Sequence, residues 1–555
     1  MIGAIRAGVI GDDEVLMGPY GPRRVTYADY TASGRSLSFI EAFIRDAVLP
    51  LYANTHTETS GTGLQTTRFR EEARRIIREA VGASEEHAVI FCGSGSTGAI
   101  DKLLSILNLR IPAELDKRYR LTDRIPVDER PVVFIGPYEH HSNELPWRES
   151  IADVVVIGED ENGAIDQGEL KDRLAEFSGR PLLIGSFSAA SNVTGVVSDT
   201  FGISGLLHDH GALAFWDFAA AAPYVAIEMG TTTGDGIYKD AVFISPHKMI
   251  GGPGTPGVLV VRKDLLTNSV PSVPGGGTVA YVNPEGHSYL KDPEHREEGG
   301  TPAIIESIRA GLVFRLKEEV GSEEIERRES SFIERAITRW DANPNIDILG
   351  NHDARRLSIV SFTVRYEDRY LHHNFVVALL NDVFGIQARG GCSCAGPYGH
   401  RLLGIDLERS HEFEREISRG CEGIKPGWIR VNFNYFISEE VFDFILAAVD
   451  LVASDGWHLL PHYDFEPVSG LWVNRLGLAE PPMSLDALSY EGGEPAYEVA
   501  RATEPESILK DYLAYARHLF DQSAVVDDSR PRRAELSADF EHLRWFPLPE
   551  EISTV

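Results

Sequence analysis

The chain of 555 residues is several times the size of a typical domain, so it can bury a large core and is expected to hold two or more domains. With 43% hydrophobic, 25% charged and 9% aromatic residues it is neither a disordered nor a fibrous sequence, and its four cysteines exclude a disulfide framework. The 84 acidic against 53 basic residues leave a formal charge of −31, which repels phosphate backbones and anionic lipid surfaces and argues against nucleic-acid and membrane partners.

The N-terminal stretch MIGAIRAGVIGDDEV has one early Arg and only a short apolar run before Asp12, Asp13 and Glu14, unlike a secretory signal. A cytoplasmic location is expected. The most apolar run, 211–229, contains Asp217 and Pro223, whereas a membrane span needs about 18 uninterrupted apolar residues. It reads as buried core.

Over the first 320 residues or so, short β-branched runs alternate with amphipathic stretches of helical length, the pattern of a parallel sheet covered by helices. The strands predicted are 88–92, 132–136, 182–186, 212–216, 241–245 and 257–262. Most run into Gly, Ser, Asp, His or Lys, and ligands of open α/β sheets bind beyond the carboxyl ends of the strands. A helix is expected from about Ala303, leading into the charged segment KEEVGSEEIERRE (317–329). The predicted organisation is an N-terminal arm over 1–35, a large domain over 36–320 and a smaller α/β domain over 321–455. That smaller domain has strands near 357–364 and 428–433 and a helix over 438–453. Residues 456–555 form an acidic extension, with 18 acidic and 8 basic residues and a helical stretch near 505–520.

SPHKMIGGPGTPG (245–257) places a lysine after a buried strand and before a Gly-rich turn. A surface loop lysine is the plain alternative, but the strand, Ser245, His247 and four glycines favour a desolvated amine. Such an amine forms Schiff bases with carbonyls, and pyridoxal phosphate is the common cofactor held this way. Lys248 is the candidate. In FWDFAAAAPY (215–224), Asp217 ends an apolar strand, where a buried carboxylate needs a cation or donors; a protonated pyridine nitrogen supplies one, and a helix cap is the alternative.

FCGSGSTGAI (91–100) is a strand, a turn of small residues and a helix start, which offers N–H groups and hydroxyls to a phosphate; Ser94 or Ser96 as a simple cap is the alternative. In YEHHSNELPW (138–147) one histidine can stack on an aromatic ring or serve as a hydrogen-bonded structural residue. ARGGCSCAGPYGH (388–400) sets two cysteines in a Gly-rich loop beside Arg389, where a thiolate can attack a sulfur held on the cofactor. The rival is zinc bound by Cys392, Cys394, His400 and Cys421, although C-x-C is an uncommon pairing for structural zinc. Arg430 in GWIRVNFNYF (427–436) lies in a strand-like run and can grip a carboxylate or form a structural salt bridge.

In this order the motifs resemble the class V aminotransferase-like enzymes of the fold-type I pyridoxal phosphate superfamily, in particular cysteine desulfurases and selenocysteine lyases, over about residues 25–455. The resemblance implies an α/β fold-type I transferase with a mostly parallel sheet in the large domain. It implies that Lys248 carries the cofactor, that Asp217 pairs its pyridine nitrogen and that His140 stacks on its ring. Ser96, Thr97, Ser245 and His247 match the phosphate ligands. Thr301 in EEGGTPAI matches a threonine that reaches the neighbouring subunit's phosphate, which implies a homodimer with shared sites. Asn192 in FSAASNVTG and Arg430 match the substrate-side Asn and the carboxylate-binding Arg, and Cys394 matches the persulfide-forming cysteine.

Two positions depart from the family pattern. Ala220 stands where a glutamine hydrogen-bonds the cofactor's phenolic oxygen, and Cys392 doubles the loop cysteine, as in the desulfurase domain of molybdenum cofactor sulfurases. The expected reaction removes sulfur from L-cysteine to give alanine and an enzyme persulfide, for delivery to a sulfur-acceptor protein. A different lyase, epimerase or aminotransferase on another amino acid is the second reading, and a zinc-binding scaffold without activity the third.

Overall fold

Strands buried on both faces can be apolar throughout instead of alternating, and the runs of Val, Ile, Phe and Ala in the first half of the chain build such strands. They are β1 (His87–Cys92), β2 (Val132–Ile135), β3 (Asp153–Val156), β4 (Leu183–Ser188), β5 (Leu213–Asp217), β6 (Ala241–Ile244) and β7 (Gly257–Arg262). In the computed structural model they form one seven-stranded sheet in the order β1-β7-β6-β5-β4-β2-β3. Only β7 runs antiparallel to its neighbours β1 and β6. The mostly parallel α/β sheet expected from the sequence is therefore the one the chain adopts. β3 was not expected; it is a four-residue edge strand, only partly buried, and too short to stand out as a run.

The structure describes residues 1–55, 58–231, 236–477, 481–497, 501–523 and 536–552. They divide into two compact units: residues 1–10, 30–330 and 353–357 form the first, and residues 11–29, 331–352 and 358–555 the second. The N-terminal residues are thus shared between the units, and residues 456–555 belong to the second.

In the first unit, α1 (Gly61–Ala80) is capped by the Ser60 hydroxyl, which accepts from the Gly63 amide. It packs on α3 (Ile304–Val320), and a Cβ at Gly311 would come within 2.6 Å of Ala73, so glycine is what permits the close approach of the two helices. Spacing of four residues puts Arg70, Arg74 and Arg78 on one face of α1. They meet Glu294 and Glu298, whose carboxylates accept from the Val89 and Phe91 amides at 2.8 and 2.7 Å. Strand β1 is a sheet edge with free amides, and these two glutamates occupy them, with Arg70, Arg74 and Arg78 neutralising the charge. Between β1 and β2 runs α2 (Gly95–Ile106), whose Ile100, Leu103, Leu104 and Ile106 are buried in one hydrophobic cluster with Ile90, Phe215 and Phe243.

In the second unit Ile346–Ile348, Ile359–Tyr366, Trp428–Asn432 and Arg389–Gly391 form an antiparallel sheet in that order. Helices His373–Phe384 and Glu439–Asp455 belong to the same unit. The C-terminal residues fold into it too. Helix Leu509–Ser523 places Tyr512 and Phe520 against Phe444 and Phe384. Trp545 stacks on His372 and His373, and Phe546 is fully buried against His372, Phe465 and Trp472.

Candidate functional site

Parallel register brings the ends of β4, β5 and β6 together: Ser188 pairs with Asp217, and Asp217 with Phe243. Beyond β6 the chain makes a tight turn over Pro246–Lys248, closed by the Lys248 amide on the Ser245 carbonyl at 3.0 Å. Lys248 and His247 are half-buried there, and Ser245 and Asp217 are buried.

Asp217 accepts from the Ala219 amide at 2.9 Å and from the Ser96 side chain. Burial raises its pKa above the ordinary carboxylate value, opposed by the Ala219 amide, by the nearby positive charge of Lys248 and by Ser96. His247 is pushed down to about 4 by burial and by the same lysine, so it is neutral at pH 7. Lys248, Asp217, His247 and Ser96 are therefore one electrostatic group, as the sequence motifs required.

The turn into α2 closes the group. The Ser96 amide donates to the Ser245 hydroxyl at 2.8 Å. Gly95 has φ of +57°, and a Cβ there would sit 2.7 Å from Ser245 Oγ and 3.4 Å from His247 Nε2. A side chain would fill the space, so the glycine keeps the region at this helix N-terminus open, where anions bind. Thr97 Oγ1 lies 2.7 Å from Ser142 Oγ, and Ser142 in turn hydrogen-bonds His140 through its amide at 3.1 Å and its hydroxyl at 3.0 Å. The Ser142 amide is a donor, so Nδ1 of His140 is an acceptor and the neutral ring carries its proton on Nε2. This chain ties His140 to the α2 turn.

Asn192 is buried in the loop after β4. Thr301 is exposed, accepts from Asn54 Nδ2 at 3.3 Å, and lines a cavity of about 460 Å³ with Gly93, Gly98 and Lys102. Ala220 is buried just past Asp217. In the second unit, Arg430 is buried in strand Trp428–Asn432 and ion-paired with Asp29 at 2.6 Å, so the salt bridge left open by the sequence is present. Cys392 is exposed and Cys394 half-buried in the loop after Arg389–Gly391. Among the described residues no group of three or more His, Cys, Asp or Glu side chains is placed to hold a metal ion, and Cys392, Cys394, His400 and Cys421 form no such group.

One residue of the site escaped the sequence reading. Glu139, beside His140, is buried and accepts from the Gly136 amide at 3.1 Å, the Ser188 amide at 2.9 Å, Ser188 Oγ at 2.6 Å and Asn143 Nδ2 at 2.6 Å. Burial, with a contribution from the charge of Asp217, pushes its pKa up to about 7 despite these donors. The native state then keeps a proton that the unfolded chain sheds above its ordinary value of 4.5. Stability should fall as pH rises from about 4.5 to about 7, by about 3 kcal/mol from this group. Glu139→Gln is expected to flatten that part of the curve, measured as denaturant midpoints at a series of pH values. An unchanged slope would show that Glu139 ionises normally.

The donor set fits pyridoxal phosphate: a buried carboxylate for a ring nitrogen, a lysine beside it, and a glycine-opened helix N-terminus flanked by hydroxyls for a phosphate.

The aminotransferase class-V family model matches residues 26–409. A probable cysteine desulfurase of Halalkalibacterium halodurans is 28% identical over 378 residues, 67% of this chain and 84% of the relative. Another, of Halobacterium salinarum, is 24% identical over 434 residues, covering 78% and 92%. Among solved structures, the apo cysteine desulfurase of Thermococcus onnurineus superposes with a TM-score of 0.62 at 23% identity, over 77% of this chain and 94% of that one. The cysteine desulfurase CsdA of Escherichia coli gives a TM-score of 0.60 at 20% identity, over 81% and 98%. Both share this fold.

Proposed function

The chain belongs to the aminotransferase class-V family, whose members are generally pyridoxal-phosphate-dependent enzymes, and from that premise we propose that it removes sulfur from L-cysteine, giving alanine and a persulfide on Cys394. The observation that carries the reading is the grouping of Lys248, Asp217, His247 and Ser96 at the carboxyl ends of β5 and β6. Relatives described as probable cysteine desulfurases support the choice of substrate.

When bound, pyridoxal phosphate supplies an electron sink for bond breaking at the amino-acid α-carbon. Each residue then has a task. Lys248 would hold the cofactor, and its Nζ would move the α-proton of the substrate. Asp217 holds the pyridine nitrogen as a cation and accepts its hydrogen bond, at a depth where water cannot compete. His140, oriented through Ser142, offers its ring to the cofactor face, and Asn192 approaches from the substrate side. Ser96 and Thr97, with Ser245 and His247, would hold the phosphate, His247 as a neutral donor. Ala220 leaves the phenolic oxygen without the glutamine contact. Arg430, fixed by Asp29, binds the substrate carboxylate. Cys394 attacks the substrate sulfur as thiolate. Thr301 serves the phosphate of a second copy, so the working form is a homodimer, and the sulfur passes to an acceptor protein.

A panel of L-amino acids offered to protein loaded with pyridoxal phosphate tests the reading. Alanine formed from L-cysteine, with no keto acid from the rest of the panel, is the expected result. Transamination or racemisation of another amino acid, with cysteine untouched, would replace it with a different class-V reaction.

A further inference from the structure

Cys392 and Cys394 share one tight turn. The Ala395 amide donates to the Cys392 carbonyl at 3.1 Å. Ser393 and Cys394 between them have φ of 50° and 58°, the left-handed pair of a type I′ turn, normally reserved for Gly, Asn and Asp. Two residues of chain hold the Cα atoms within about 7 Å, a separation that two cysteine side chains facing each other can span. The thiols differ in setting: Cys394 is half-buried, Cys392 exposed. Cys392 also lines a cavity of about 360 Å³ with Gly399, His400, Phe413 and Trp428. An exposed thiol adds nothing to core packing, and a turn with two non-glycine residues at positive φ is not a cheap way to place one.

We propose that Cys392 is a second sulfur carrier. Cys394 takes the sulfur from the substrate, and the Cys392 thiolate then attacks the outer sulfur of that persulfide. A new S–S bond forms at Cys392, the one at Cys394 breaks, and Cys394 leaves as thiolate. The transferred sulfur keeps its proton and oxidation state, so no oxidant or reductant is required. An acceptor thiol meets the persulfide at the exposed position beside the cavity. This step rests on the desulfurase reading and adds the exit route to it.

The test uses the full chain loaded with pyridoxal phosphate, treated with L-cysteine and alkylated. Cleavage after Arg389 and Arg401 gives one peptide, 390–401, with both cysteines, and fragment ions between them locate the persulfide; alanine is measured on the same samples. The wild type should carry the persulfide on Cys392, Cys392→Ser on Cys394, and Cys394→Ser on neither. With 2-mercaptoethanol as acceptor, Cys392→Ser should give a first equivalent of alanine and then turn over at least about tenfold more slowly, because the remaining persulfide is less accessible. Alanine formed while the wild-type persulfide stays on Cys394 overturns the relay alone, as does unaltered turnover of Cys392→Ser. No alanine from the wild type overturns the desulfurase reading and the relay with it.

Discussion

Lys248→Ala is expected to leave a folded protein that forms no measurable alanine from L-cysteine and retains no visible absorbance from bound cofactor. The backbone of the Pro246–Lys248 turn is held by the Lys248 amide on Ser245, which an alanine keeps, so the fold should survive. What disappears is the amine. Its charge lowers the pKa of both Asp217 and His247, which puts it beside the two groups assigned to the pyridine nitrogen and the phosphate. A positioned general base is worth about 10²–10⁴ in rate, and loss of the covalent attachment adds to that. Lys248→Arg keeps a cation but cannot shed its proton at working pH, so it should be as inactive as the alanine variant. An alanine yield within about tenfold of wild type would remove Lys248 from the mechanism.

Arg74→Met is expected to lower the stability of the first unit by about 3–5 kcal/mol, the usual result of stripping a buried carboxylate of its cation. Arg74 is almost fully buried and binds Glu298 through Nη1 and Nη2, each at 3.0 Å, and the Val89 carbonyl. Burial alone would raise the Glu298 pKa, but Arg74 and Arg70 outweigh it and hold the carboxyl down at about 2. A depressed folded pKa contributes stability above the ordinary value of 4.5 and loses it as pH falls toward 2. Wild type should therefore lose stability through that acid range, and Arg74→Met should lose less. Denaturant midpoints at pH 7 and across the acid limb give both readings. The same network anchors the segment leading to Gly299, Gly300 and Thr301, so disorder at the cavity beside α2 should accompany the loss. A shift below about 1 kcal/mol would mean that Arg70 alone suffices for Glu298.

The parallel strands were legible because a strand buried on both faces is written as an uninterrupted apolar run: β1, β2, β4 and β6 are buried along their whole length, and β5 from Ala214 onward. Asp153–Val156 was not, since four half-exposed residues at an edge carry little apolar signal. Lys248 and Asp217 stood out by contrast, as charged residues set at the ends of such runs. Glu139 did not, because two of its donors, the Ser188 amide and hydroxyl, come from 49 residues away, and nothing near it in the chain shows that they arrive. The ion partner of Arg430 is Asp29, 401 residues away. In residues 456–555 the sequence shows a helical stretch near 505–520 but no core, because Phe465, Trp472 and Phe546 are widely spaced among acids and prolines. Their core is completed by His372 and His373, at the start of a helix about a hundred residues earlier.

The central claim is that Lys248 is the residue that holds the cofactor. Protein loaded with pyridoxal phosphate, reduced with borohydride, digested and mapped by mass spectrometry tests it most directly. The pyridoxyl phosphate group is predicted on Lys248, with the signal lost in Lys248→Ala. A group fixed on another lysine, with Lys248 unmodified, would contradict it.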